Sequence, residues 1–149
     1  MKRTVAILLL LSLIFVTSCS QRKSAEDILL EFCKEYPISA NFYSSLAHKG
    51  DAGYIDAEML YALYGLEEFP TAEFSLALYG KVDTVREIGV FLTDMGEDRI
   101  ELTELLSNRI KFLSSFSHGE GFIRKYKGVL VYGFVEDSSY AEELFDRII

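Results

Sequence analysis

From Ser24 onwards the apolar positions fall into short blocks, some at helical spacing and some alternating. Ile28, Leu29, Phe32, Cys33 and Tyr36 recur every three to four residues and predict a helix. Ser24 offers a hydroxyl cap for it, and Glu26 and Asp27 follow in the first turn, where the helix dipole favours acids. Pro37 ends the pattern. The stretch from Ile38 to Ala47 mixes aromatics with serines and shows neither period, and His48 to Gly53 reads as a loop. A second, shorter helix is capped by Asp56, buries Met59, Leu60 and Leu63, and stops at Gly65.

Phe74 to Tyr79 and Glu87 to Thr93 alternate and carry β-branched and aromatic residues, with a turn from Gly80 to Thr84 between them. That predicts an antiparallel pair. Arg99 to Ser117 is the longest helical pattern, with Leu102, Leu105, Leu106, Arg109, Ile110, Leu113 and Phe116 on one broad face. Phe122 to Tyr126 and Val129 to Glu136 form a second hairpin across Lys127-Gly128, where glycine suits the turn. Val129 to Tyr132 is apolar on both faces, which predicts a central strand. Ser139 and Glu142 have the spacing of a capping box for a last helix lined by Ala141, Leu144, Phe145 and Ile148. The fold class expected is α+β, in the order α-α-β-β-α-β-β-α. About four strands would form one antiparallel sheet, with helices packed on one face of it.

The first residues obey a different pattern. Lys2 and Arg3 precede an apolar run from Thr4 to Val16, and Val16-Thr17-Ser18 leads directly into Cys19. Thirteen residues of helix cover roughly 20 Å, too little for a hydrocarbon core of about 30 Å. A basic head, a short apolar middle and a small-residue exit before cysteine are the marks of a bacterial lipoprotein signal with its lipobox. Residues 1–18 are therefore expected to be a cleaved signal peptide, Cys19 the lipidated residue, and 19–23 a short tether. Residues 24–149 would then make a single α+β domain. The expected place is the extracytoplasmic face of a membrane, held by lipid on Cys19. An ordinary secreted chain with an incidental Cys19 is the alternative.

Losing the leader removes Lys2 and Arg3 and no acid, which moves the formal charge from −8 to −10. A field of that sign argues against nucleic acid as a partner. Cys33 is the only other cysteine, so acylation of Cys19 leaves no internal disulfide, and its apolar surroundings predict a small buried hydrophobe. No CxxC, HExxH or Cys/His cluster occurs, and neither a metal nor a cofactor is expected.

The segment from Tyr54 to Ile149 resembles a family of small Gram-positive lipoproteins catalogued as a domain of unknown function, family four-three-five-eight. The resemblance lies in Met59-Leu60-Tyr61-Ala62-Leu63-Tyr64-Gly65-Leu66, in Val85-Arg86-Glu87-Ile88-Gly89-Val90-Phe91 and in the helix with Asn108-Arg109-Ile110. The hairpin Tyr126 to Val131 before a terminal helix, and the lipobox, belong to the same pattern. It implies an extracytoplasmic lipoprotein and supplies no catalytic residue.

Candidate chemistry is sparse. His48 and His118 are the only histidines, each in a loop, and no serine sits in a GxSxG elbow. His118-Gly119-Glu120-Gly121 is the most site-like segment, with His118 and Glu120 as candidate binding residues, though a flexible helix-to-strand turn with polar residues is the better account of it. Glu67 and Glu68 are adjacent, and Asp94, Glu97 and Asp98 lack the spacing of a calcium loop. Tyr61 and Tyr64, three apart on a helix, would offer an aromatic platform to a sugar or a protein. Arg124, Lys125 and Lys127 make a basic spot able to meet lipid phosphates. The expected function is a non-enzymatic, membrane-anchored interaction module with an extracytoplasmic protein partner. A small-ligand binder and a cell-envelope enzyme stand as alternatives.

Overall fold

Five strands, rather than about four, make up the sheet. The computed structural model describes residues 22–81, 84–94 and 96–149. The leader and Cys19, with the lipidation assigned to it, lie outside the described residues. The chain runs α1 (Ala25–Glu35), β1 (Asn41–Ser44), α2 (Ala57–Tyr64), β2 (Glu73–Lys81), β3 (Thr84–Leu92), α3 (Glu97–Ser114), β4 (Glu120–Tyr126), β5 (Val129–Val135) and α4 (Ser138–Ile148). The order across the sheet is β1-β2-β3-β5-β4, and every neighbouring pair is antiparallel. The additional strand is β1, from the stretch without a period. It is four residues long, mostly exposed, and held by its ladder to β2.

Helices cover both faces of the sheet, which corrects the one-face expectation. On the first face α1 and α4 pack Ile28, Leu29, Phe32, Leu144 and Phe145 over Ala77, Ile88, Val90 and Val131. Phe32 and Phe145 stack there with ring centroids 4.3 Å apart. On the second face α2 and α3 bring Leu60, Tyr64, Leu102 and Leu106 over Leu76, Phe91, Leu130 and Tyr132. Phe69, from the link between α2 and β2, meets Tyr64 and Phe74 edge-on at 4.9 Å and Phe91 at 5.0 Å. The physical reason lies in the strands. β5 is buried at all its positions, and β2 and β3 are buried through Phe74–Ala77 and Glu87–Phe91. A sheet with one wet face would alternate instead. The prediction that β5 is central holds, since it lies between β3 and β4.

Local signals decide most boundaries. Ser24 caps α1 with a full capping box to Asp27, and Asp56 Oδ1 accepts from the Met59 amide at 2.8 Å to open α2. Gly65 closes α2 at φ 75°, and Gly128 turns the β4–β5 hairpin at φ 75°, a region glycine enters freely. Three details differ from expectation. α3 runs Glu97–Ser114 rather than Arg99–Ser117, and Met59 is exposed while Tyr64 takes the inward position on α2. The cap of α4 is Asp137, which accepts from the Tyr140 amide at 2.9 Å, rather than Ser139.

Candidate functional site

β3 passes through the middle of the sheet and carries a carboxylate inward. Glu87 is only 2 % exposed, on the second face, where β2 and β5 flank it with Leu78 and Phe134. Such a group needs partners, because an unpaired buried charge is strongly unfavourable. α3 supplies Arg109 from above. Its Nη2 pairs with Glu87 Oε1, and its Nε donates to Glu87 Oε2 at 3.1 Å. This two-point contact suits the planar guanidinium. Arg109 Nη1 donates to the Leu63 carbonyl at 2.8 Å, satisfying the last turn of α2.

Tyr132 and Tyr64 complete the network. Tyr132 is opposite Gly89 on β3, and a Cβ at Gly89 would come within 2.6 Å of the Tyr132 ring. The bare glycine therefore lets that ring lie across the strand and donate to Glu87 Oε2 at 2.6 Å. Because the Tyr132 proton is spent there, the 2.8 Å contact between the two phenols has Tyr64 as donor. Burial, and then the charge of Glu87, push both phenols well above the ordinary tyrosine range. Burial would lower Arg109, but the hydrogen bonds and charge of Glu87 outweigh it and raise the guanidinium. The arrangement holds one ion pair and two neutral phenols tightly.

The network forms the floor of a surface hollow. Between α2 and α3 a space of about 400 Å³ is walled by Ala62, Leu63, Leu105, Asn108 and Phe112, above Tyr64 and Arg109. The Arg109 guanidinium lies 5.3 Å from the Tyr64 ring centre and 5.5 Å from that of Phe112. Phe112 is nevertheless 57 % exposed and meets Phe116, 49 % exposed, edge-on at 5.1 Å. A second groove of about 710 Å³ runs along β1, between α1 and the 46–53 loop, with Leu30, Phe42 and Leu46 exposed on it.

No family model, no curated protein and no solved structure matches the chain. The resemblance to the domain-of-unknown-function lipoproteins gains no support from these comparisons.

The candidate residues read from the sequence are scattered. Tyr64 joins the buried network, while Tyr61 is 66 % exposed, so the two do not form one platform. His118 is exposed, and its carbonyl accepts from Arg86 Nη1 at 2.7 Å. Glu120 Oε2 accepts from the Ser138 hydroxyl at 2.7 Å and secures the start of α4. Neither reaches the tyrosines. His48 lies in an exposed turn closed by Asp51, and Arg124 is taken up by Glu142 at 2.9 Å. Cys33 is half-buried, and burial pushes its thiol up to about 11. Among the described residues no cluster of His, Cys, Asp and Glu could hold a metal, and no helix is long and apolar enough to cross a membrane. Glu87 and Tyr132 were missed as site residues. The available signal was an acid at the head of the apolar run Ile88 to Leu92, together with an arginine on the apolar face of α3.

Proposed function

We propose that the chain is an extracytoplasmic lipoprotein, anchored through lipid on Cys19, whose domain is a non-enzymatic interaction module. The observation that supports it best is the exposed Phe112–Phe116 pair, of which Phe112 lines the α2–α3 hollow. Two large aromatics in water are unfavourable alone, and aromatics of this kind anchor protein interfaces. The floor beneath them is rigid, because Arg109 ties α3 to β3 and to the end of α2 in a single set of hydrogen bonds. A partner would thus meet a preformed surface and lose little conformational entropy on binding.

The test is crosslinking co-purification from intact membranes, comparing the wild type with Cys19→Ala and with the double variant Phe112→Ser/Phe116→Ser. The expected result is one stoichiometric partner, lost from both variants while the double variant remains lipidated. Undiminished recovery by the double variant would overturn the reading. The second reading, a small-ligand binder, draws on the size of the hollow, which falls in the usual range for such sites. An empty capture from normally lipidated protein, with a small molecule retained in native mass spectra, would favour it.

A further inference from the structure

The residues that follow the lipobox are fastened to the domain. Arg22 Nη2 donates to the Gly128 carbonyl in the β4–β5 turn. Lys23 Nζ donates to the Ile148 carbonyl at 3.0 Å and pairs with Glu31 at 2.7 Å. Ser24 then enters the capping box of α1, and the Ala25 amide donates to Glu73 at 2.7 Å. Each exposed contact is weak alone. Together they fix four consecutive residues against one end of the molecule.

That end is defined by the sheet. Glu73 of β2, Leu92 of β3, Val129 of β5 and Tyr126 of β4 lie there in register, and α4 finishes beside them. The opposite end holds Lys81, Thr84, Val135 and Glu120. β4 and β5, of seven residues each, separate the two ends by about 20 Å. Only residues 20 and 21 lie between Cys19 and Arg22, so the anchor reaches no more than about 11 Å from the docked end. A tether that short, leaving from a fixed point, keeps the docked end at the bilayer, and an upright domain then carries the far end outward.

We propose that the anchored domain stands in one orientation, with the β4–β5 turn against the lipid head groups and the far end turned outward. This rests on the lipoprotein reading. Charge at the docked end is mixed, so the short tether rather than charge sets the placement. Lys125 and Lys127 are exposed on the hairpin beside Arg22, whereas Asp94, Glu97 and Asp98 stand before and at the start of α3. α3 starts near the membrane, where Arg99 donates to the Tyr126 carbonyl at 2.8 Å, and runs outward. Its end lies at the far side, where Ser117 Oγ accepts from the Val85 amide at 2.9 Å. Phe112 and Phe116 are thereby held away from the bilayer, toward an extracytoplasmic partner.

The experiment uses the lipidated full chain with Cys33→Ala, carrying a fluorophore at Lys127→Cys or at Ser115→Cys. Each is reconstituted in phosphatidylcholine–phosphatidylglycerol vesicles containing a head-group quencher. Quenching at position 127 should exceed that at 115 severalfold, and Arg22→Gly/Lys23→Gly should bring the two together. Equal quenching in a chain that floats with the vesicles overturns the orientation and leaves the anchor standing. A chain that does not float, with or without Cys19→Ala, removes the anchor and the orientation with it.

Discussion

Glu87 is the residue whose surroundings constrain most of the second face. Its carboxylate is held by Arg109 and Tyr132, so deleting one partner strands a charge in an apolar layer. Arg109→Met should therefore cost about 3–5 kcal/mol in urea denaturation, as for other broken buried pairs. Glu87→Leu/Arg109→Met should recover much of that loss, because no charge is then left alone. A single variant within about 1 kcal/mol of wild type would show that the pair is solvated. Titration gives a second check. Tyr64, Tyr132 and Cys33 all keep their protons to higher pH when folded, so the unfolded chain releases them first. Stability should hold below pH 9 and fall as pH rises, first through Cys33 between its ordinary value and about 11, then more steeply above 10 through the phenols. Cys33→Ala should delay the onset, and Tyr64→Phe should reduce the slope above pH 10. An alkaline profile unchanged by both variants would count against this account. The sequence showed Arg109 on the apolar face of its helix, but not the diagonal reach of Tyr132 over Gly89, which depends on strand register.

At the level of elements, helices were legible where a cap and a period agreed. Ser24 and Asp56 open α1 and α2 as their positions imply, since side-chain oxygens there satisfy amides that the helix cannot. Ser139 had the spacing of a cap for α4, but the helix opens two residues earlier on Asp137, and Ser138 donates to Glu120 of β4. β1 was hidden for a different reason. Its residues carry no alternation, and it forms because Tyr43 and Ser44 meet Leu76 and Ser75 across a ladder that the 28 intervening residues of loop and helix could not announce. Ser24→Ala should test the cap, costing about 1 kcal/mol in thermal or urea unfolding. The Ser24 hydrogen bonds also hold Asp27 below the usual carboxylate range, so that contribution is present at neutral pH and disappears as pH falls through the carboxylate range. In Ser24→Ala this acid dependence should flatten. A variant as stable as wild type, with the same acid limb, would show that tertiary contacts alone hold the helix start.

For the whole molecule, the two apolar layers share a single sheet, and β3 and β5 serve both at once. Ile88, Val90 and Val131 face α1 and α4, while Phe91, Leu130 and Tyr132 face α2 and α3. Neither layer can close while the other is open, because the same backbone ladder must be formed for either set of side chains to point inward. A domain of this size is expected to unfold in one transition. Phe145→Ala, which removes the ring stacked on Phe32 in the first layer, should cost about 3–5 kcal/mol. The loss should appear equally in the second layer. Native-state hydrogen exchange would read it as matching decreases in protection for the slowest amides of α3 and α4. Protection retained in α3 while α4 opens would mean that the layers are separable and that α1 and α4 form a detachable cover. In that event Arg22 and Lys23, fastened to the β4–β5 turn and to the end of α4, would sit partly on the weaker layer, and the orientation of the anchored domain would loosen with it.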